Sequence, residues 1–131
     1  MKQAYPVIFA KIPEGGFMAT IPDFDDAGTH GESLPEAMEM ARDAIGALGL
    51  SYEEDGLKLP SPTALDRVQV ANGELVSLVD VDFTDYRRRT ELKTVKKNCT
   101  LPSWLNAEAE KANVNFSAVL QNALKKELHL A

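Results

Sequence analysis

Residues 95–128 read VKKNCTLPSWLNAEAEKANVNFSAVLQNALKKEL. The run Lys96-Lys97-Asn98-Cys99-Thr100-Leu101 stops at Pro102. In an extended chain successive side chains point to opposite faces. Lys96, Asn98 and Thr100 then share one face, and Lys97, Cys99 and Leu101 share the other. Pro102 suits a first helical turn, where its missing N–H is not needed. Leu101, Leu105, Ala109 and Ala112 recur at helical spacing. Asn113-Val114-Asn115 breaks that pattern and supplies Asn115 as an N-cap. Phe116, Val119, Leu120, Ala123, Leu124 and Leu128 then form the apolar stripe of a second helix.

One strand and two short helices are too little chain to bury a core alone. The spacing therefore predicts a homodimer, or a higher even oligomer, in which two copies pair their strands and interlock their helices. The paired strands present Lys96, Asn98 and Thr100 of both copies as a two-stranded ribbon. Such a ribbon fits the DNA major groove, where Lys and Asn read base edges. The helix start at Asn115, Phe116 and Ser117 offers free N–H groups to a phosphate. The candidate DNA-binding residues are thus Lys96, Asn98 and Thr100 on the bases and Asn115 and Ser117 on the backbone. This last quarter of the chain resembles a ribbon-helix-helix DNA-binding domain. The competing reading is a helical hairpin that serves dimerisation alone.

The chain has 131 residues and a net charge of −6. Residues 1–82 carry five basic and fifteen acidic side chains, a net of −10, and residues 83–131 carry nine and five, a net of +4. This asymmetry points to two partners of opposite charge: nucleic acid for the basic half and a basic protein for the acidic half. No apolar run approaches the roughly 18 residues needed to cross a membrane. The start lacks a signal-peptide pattern, so a cytoplasmic setting is expected. A single cysteine, Cys99, excludes an internal disulfide framework, and two histidines, His30 and His129, make a poor zinc set.

Tyr5–Ile12 reads as a strand, Pro13-Glu14-Gly15-Gly16 as a turn and Phe17–Ile21 as the returning strand. Thr29-His30-Gly31 reads as a short strand end. Ser33-Leu34-Pro35-Glu36 is a capping box. Leu34, Ala37, Met38, Ala41, Ala44, Ile45 and Leu48 continue as one helical stripe that ends near Gly49. Leu65–Val70 reads as a minor strand, and Leu75–Val81 as a strong one. The fold class is α+β: residues 1–82 form a small antiparallel sheet with one long helix. Residues 83–94 are expected to be a linker, with a short helix through the segment as the alternative, and with Arg87, Arg88 and Arg89 facing phosphates or acidic protein. Residues 95–131 form the second domain.

The order of parts is informative. Gly15-Gly16-Phe17, Ile21-Pro22-Asp23-Phe24, Gly28, Gly31 and Glu32-Ser33-Leu34-Pro35-Glu36-Ala37 are followed by Met40-Ala41 and Ala44-Ile45. This series resembles the HicB antitoxin family, and the tail resembles that of one HicB subtype. The resemblance implies a partial RNase H-like first domain that masks a small basic HicA-like mRNA interferase. It also implies a tail that binds operator double-stranded DNA as a dimer and represses transcription. Phe116-Ser117 stands where such tails often carry Arg-Ser, which removes one phosphate contact. Lys97 stands where an apolar residue is expected, and Asp25-Asp26-Ala27 replaces a short apolar-glycine loop.

A catalytic reading has little to rest on. Asp23, Asp25 and Asp26 form the one tight carboxylate cluster, and a two-metal nuclease needs converging carboxylates. Such clusters more often cap turns. No Ser-His-Asp set, phosphate-cradling glycine loop or dinucleotide fingerprint occurs. The expectation is a non-enzymatic antitoxin without a metal or other cofactor; the alternative is a stand-alone ribbon-helix-helix regulator whose first domain oligomerises or senses a ligand.

Overall fold

A computed structural model describes residues 1–130. The chain divides into two compact units, the first Met1–Lys93 and the second beginning at Thr94.

The first unit is a four-stranded antiparallel sheet in the order β3-β2-β1-β4. β1 is Lys2–Lys11, β2 Phe17–Ile21, β3 Ala27–Gly31 and β4 Leu75–Asp82. Pairing of Ile8 with Thr20 and of Ile8 with Val76 fixes β1 between its neighbours. Alternation then sets the inner face: Tyr5, Val7, Phe9, Ala19, Ile21, Val79 and Val81 are buried. Pro6 in the middle of β1 breaks no bond. Ile12 donates its backbone N–H to Gly16 O at 3.0 Å, so the β1 residues that bond β2 are the even-numbered ones. The ladder to β2 stops at Ile8, short of Pro6.

The long helix α1, Leu34–Glu54, buries Ala37, Ala41 and Ile45 against that inner face. Its start is capped as expected: Glu36 donates its N–H to Ser33 Oγ at 3.2 Å. The Glu36 carboxylate reaches back one residue further than a capping box requires, accepting from Glu32 N–H at 3.1 Å. The helix does not end near Gly49 but runs on to Glu54. Gly46 and Gly49 are buried contact points rather than stop signals. A Cβ on Gly46 would lie 2.5 Å from the Tyr86 ring, and one on Gly49 would overlap Phe83.

Those aromatics belong to α2, Phe83–Thr90, which occupies most of the segment expected to be a linker. Phe83 and Tyr86 are buried, and Tyr86 donates its hydroxyl proton to Asp43 Oδ1 at 3.1 Å. The missed signal was Asp82, an N-cap whose carboxylate accepts from Thr84 and Asp85 N–H at 3.1 and 3.2 Å. Accepting the Asp85 N–H holds the Asp82 carboxyl below its ordinary value of 3.8. A depressed folded-state value means that this cap stabilises α2 above the ordinary value and is lost as pH falls through the lower one. On acid titration the Thr84 and Asp85 amide resonances are therefore expected to move together, at a pH below 3.8. Movement near neutral pH would show that the cap is not their partner.

The connection from α1 to β4 is pinned at two points. Tyr5 donates its hydroxyl proton to Pro60 O at 2.8 Å. Thr63 donates its N–H and its hydroxyl to the Asp23 carboxylate, at 2.9 and 2.5 Å. The minor strand expected at Leu65–Val70 is absent: Leu65–Arg67 is a 3-10 turn closed by Arg67 N–H to Ala64 O at 2.9 Å. Asp66 and Arg67 interrupt the apolar run, so its backbone satisfies itself locally.

The second unit contains α3, Ser103–Lys111, and α4, Phe116–Glu127. Asn113, at φ 53°, turns the chain between them, and Val114 N–H closes on Ala109 O at 3.1 Å. No helix among the described residues is long and apolar enough to cross a membrane.

Candidate nucleic-acid interface

Lys96, Asn98 and Thr100 lie in an exposed leader, Glu91–Pro102, that has no regular secondary structure. Among the described residues, Leu92–Leu101 makes no backbone hydrogen bond within the chain. A strand is defined by its ladder, and this one has no neighbour within its own chain. The seven main-chain units from Val95 to Leu101 are thus free to pair with another strand.

The alternation expected along the leader has a counterpart in three dimensions. Lys97, Cys99 and Leu101 line an apolar groove of about 580 Å³, and Lys96, Asn98 and Thr100 do not. Leu105, Asn106 and Ala109 of α3, Val114 between the helices, and Phe116, Ser117, Val119, Leu120 and Ala123 of α4 complete the lining. The apolar helix residues among them belong to the two stripes, and Ser117, a candidate phosphate contact, lies at the groove as well. The stripes remain open: Leu101 is 48 % and Leu120 39 % accessible in the single chain. Cys99 lies on this groove side but is exposed. Trp104 lies outside the lining and is 68 % exposed.

Asn115 caps α4, its side-chain oxygen accepting from Ala118 N–H at 3.0 Å. This satisfies one of the donors that a helix start leaves open and leaves the N–H groups of Phe116 and Ser117 without intrahelical acceptors. Lys111 near the end of α3, and Lys125 and Lys126 near the end of α4, sit where the helix dipole favours cations.

Two of the three arginines of the run are paired within the first unit. Arg87 pairs with Glu53 and, at 3.0 Å, with Glu91; Arg89 pairs with Asp85 at 3.0 Å and lies 5.8 Å from the Tyr86 ring centre. Moving α2 into the first unit redraws the charge split. Residues 1–93 carry nine basic and seventeen acidic side chains, a net of −8; residues 94–131 carry five and three, a net of +2. The exposed acids of the first unit include Glu32, Glu36, Glu39 and Glu54 around α1.

The carboxylates of the Asp23 loop do not converge on a common point. Asp23 is taken up by Thr63, and Asp25 and Asp26 turn the chain at φ 53° and 56° with exposed side chains. Among the described residues no three His, Cys, Asp or Glu side chains are grouped to hold a metal ion. Asp80, which shares a strand face with Asp82, is paired with Arg42 at 3.1 Å. The Arg42 hydrogen bond holds its carboxyl below the ordinary range.

Known proteins are similar to this chain in sequence and fold. A family model described as a HicB-like antitoxin of bacterial toxin–antitoxin systems matches residues 5–124. The antitoxin HicB of Escherichia coli (strain K12) is 42 % identical over 62 residues, which cover 47 % of this chain and 45 % of that one. The match therefore spans less than half the length of that relative. Among solved structures, a toxin–antitoxin complex from Streptococcus pneumoniae superposes with a TM-score of 0.64 at 22 % identity, over 97 % of this chain and 99 % of that chain. A chain of the HicA3 and HicB3 toxin–antitoxin complex does so at 0.51 and 24 % identity, over 61 % of this chain and 99 % of that chain. At these identities the structural likeness speaks for the fold, which is α+β with an antiparallel four-stranded sheet.

Proposed function

The chain belongs to the HicB-like antitoxin family, and from that premise we propose that it neutralises a small basic HicA-like mRNA interferase and represses its own operon as a dimer. The observation that carries the second role is the leader: an exposed run whose backbone has no partner, with an apolar groove on one side and Lys96, Asn98 and Thr100 on the other. Two such leaders paired antiparallel exchange main-chain hydrogen bonds at alternate residues and leave the polar side chains on one outer face. That face suits the major groove, with Asn98 on adenine and Lys96 on guanine. Asn115 and Ser117 at the start of α4 meet the flanking phosphates. The first role rests on charge. A surface with a net of −8 over residues 1–93, nine basic side chains against seventeen acidic ones, favours a basic partner and disfavours RNA. Covering the RNA-binding and catalytic surface of such a toxin requires no chemistry from this chain.

Two measurements test the proposal. Asn98→Ala is expected to weaken operator binding by about 1–3 kcal/mol and to relax the preference at one base position per half-site. Unchanged affinity and preference in a gel-shift titration would remove the leader as reader. A small basic chain encoded next to this one is expected to co-elute with it and to lose its ribonuclease activity in the complex. Failure to find one favours the stand-alone regulator.

A further inference from the structure

We infer that the two leaders pair in one register, centred on Asn98, so that Val95 of each chain packs against the partner's Leu101. The inference rests on the dimeric ribbon proposed above and specifies its second copy. Antiparallel strands place directly opposite residues on the same face. Lys97, Cys99 and Leu101 line the groove, so each must lie opposite another groove-side residue. For a symmetric pair this puts a residue on the two-fold axis; Lys96 or Thr100 there would carry Leu101 back to the partner's Glu91 or Val95 onto the partner's α3, which leaves Lys97, Asn98 or Cys99.

The side chains decide among them. Centring on Lys97 sets two ammonium groups face to face over an apolar groove, and like charges directly opposite destabilise a pair. It also sets Leu101 opposite the partner's Lys93. Centring on Cys99 sets Val95 opposite the partner's Ser103, which is already the first residue of α3, and sets Lys97 opposite the partner's Leu101. Val95, 88 % exposed in the single chain, then has no strand to cover it. Centring on Asn98 matches Val95 with the partner's Leu101 at both ends and Lys97 with the partner's Cys99 in between. The ladder then runs from Val95 to Leu101 and stops where Pro102 has no N–H to give. On the outer face the two Asn98 side chains meet at the centre, and each Lys96 stands beside the partner's Thr100. The reading surface is incomplete in one chain alone.

The register is tested with single cysteines in the full-length protein. Opposite residues have Cβ atoms about 4.5–5.5 Å apart and diagonal neighbours about 7–8 Å apart. A disulfide needs about 3.5–4.5 Å, so only the residue on the axis is within easy reach. Three proteins are oxidised with glutathione disulfide: Asn98→Cys with Cys99→Ser, Lys97→Cys with Cys99→Ser, and the unsubstituted chain with Cys99 alone. Asn98 is exposed, so its replacement leaves the fold of each chain intact. The expected result is that most of the Asn98→Cys protein runs as a covalent dimer on a non-reducing gel, with the other two remaining largely single chains. Efficient cross-linking at Lys97→Cys or Cys99 overturns the register but keeps the ribbon. A dimer by light scattering in which none of the three cross-links overturns both.

Discussion

Leu120→Glu is expected to leave the chain monomeric and to lower operator affinity by 100-fold or more. Leu120 lies in the lining of the second unit's groove, and 39 % of its surface is open in the single chain. A second copy closing that groove removes the position from water. A carboxylate placed there loses hydration without gaining a partner, and an uncompensated buried charge costs about 3–5 kcal/mol. At about 1.4 kcal/mol per factor of ten, each buried carboxylate lowers the dimerisation constant by roughly two to three and a half orders of magnitude. Operator affinity falls with it, because a single leader presents half of the reading face. Sedimentation at micromolar concentration checks the first effect and gel shift the second. Gln121→Glu adds the same charge one residue away, outside the groove lining, and is expected to stay dimeric. If both variants dimerise and bind like the parent chain, the groove is not the interface. The first unit is an independent control, since its core does not include Leu120. Its melting temperature is expected to stay unchanged.

Much of the first unit was legible because its elements announce themselves locally. Gly15-Gly16 with flanking strands, the Ser33 cap and the stripe from Leu34 to Leu48 each carry their own signal, and the hairpin and α1 follow. What was not legible depended on contacts between distant segments. Gly49 looked like the end of a helix because glycine disfavours helices, yet Gly46 and Gly49 are spaces for the rings of Tyr86 and Phe83. Phe83–Thr90 looked like a linker because its apolar content is two aromatics, and an eight-residue helix is held by packing rather than by propensity. The Asp23 cluster looked like a possible metal site because sequence cannot show that Thr63 claims one carboxylate. In the second unit the two helices and the Asn115 cap were readable from spacing alone. The leader was readable as an alternating segment, but its backbone finds no hydrogen-bond partner among the described residues of the chain.

The contact between α1 and α2 supplies the other large effect, and here the sign is informative. Gly→Ala inside a helix ordinarily stabilises by about 1 kcal/mol. At Gly49 the opposite is expected, because the added methyl overlaps the Phe83 ring, whose Cδ1 lies 2.7 Å from the position a Cβ would take. Overpacking of this kind costs about 1–3 kcal/mol. Phe83 is 3 % exposed, so Phe83→Ala opens a cavity beneath α2 and costs about 3–5 kcal/mol. If the ring is the obstacle, the double variant Gly49→Ala, Phe83→Ala must be less destabilised than the sum of the two. The methyl added by Gly49→Ala then enters space the ring has vacated, and the helix recovers its propensity gain. Residues in contact typically couple by about 0.5–3 kcal/mol, and the expected coupling here has the compensating sign. Urea unfolding of the four proteins completes the cycle. Additive losses would mean that Gly49 is small for a reason other than Phe83, and that α2 is not held on α1 by this contact.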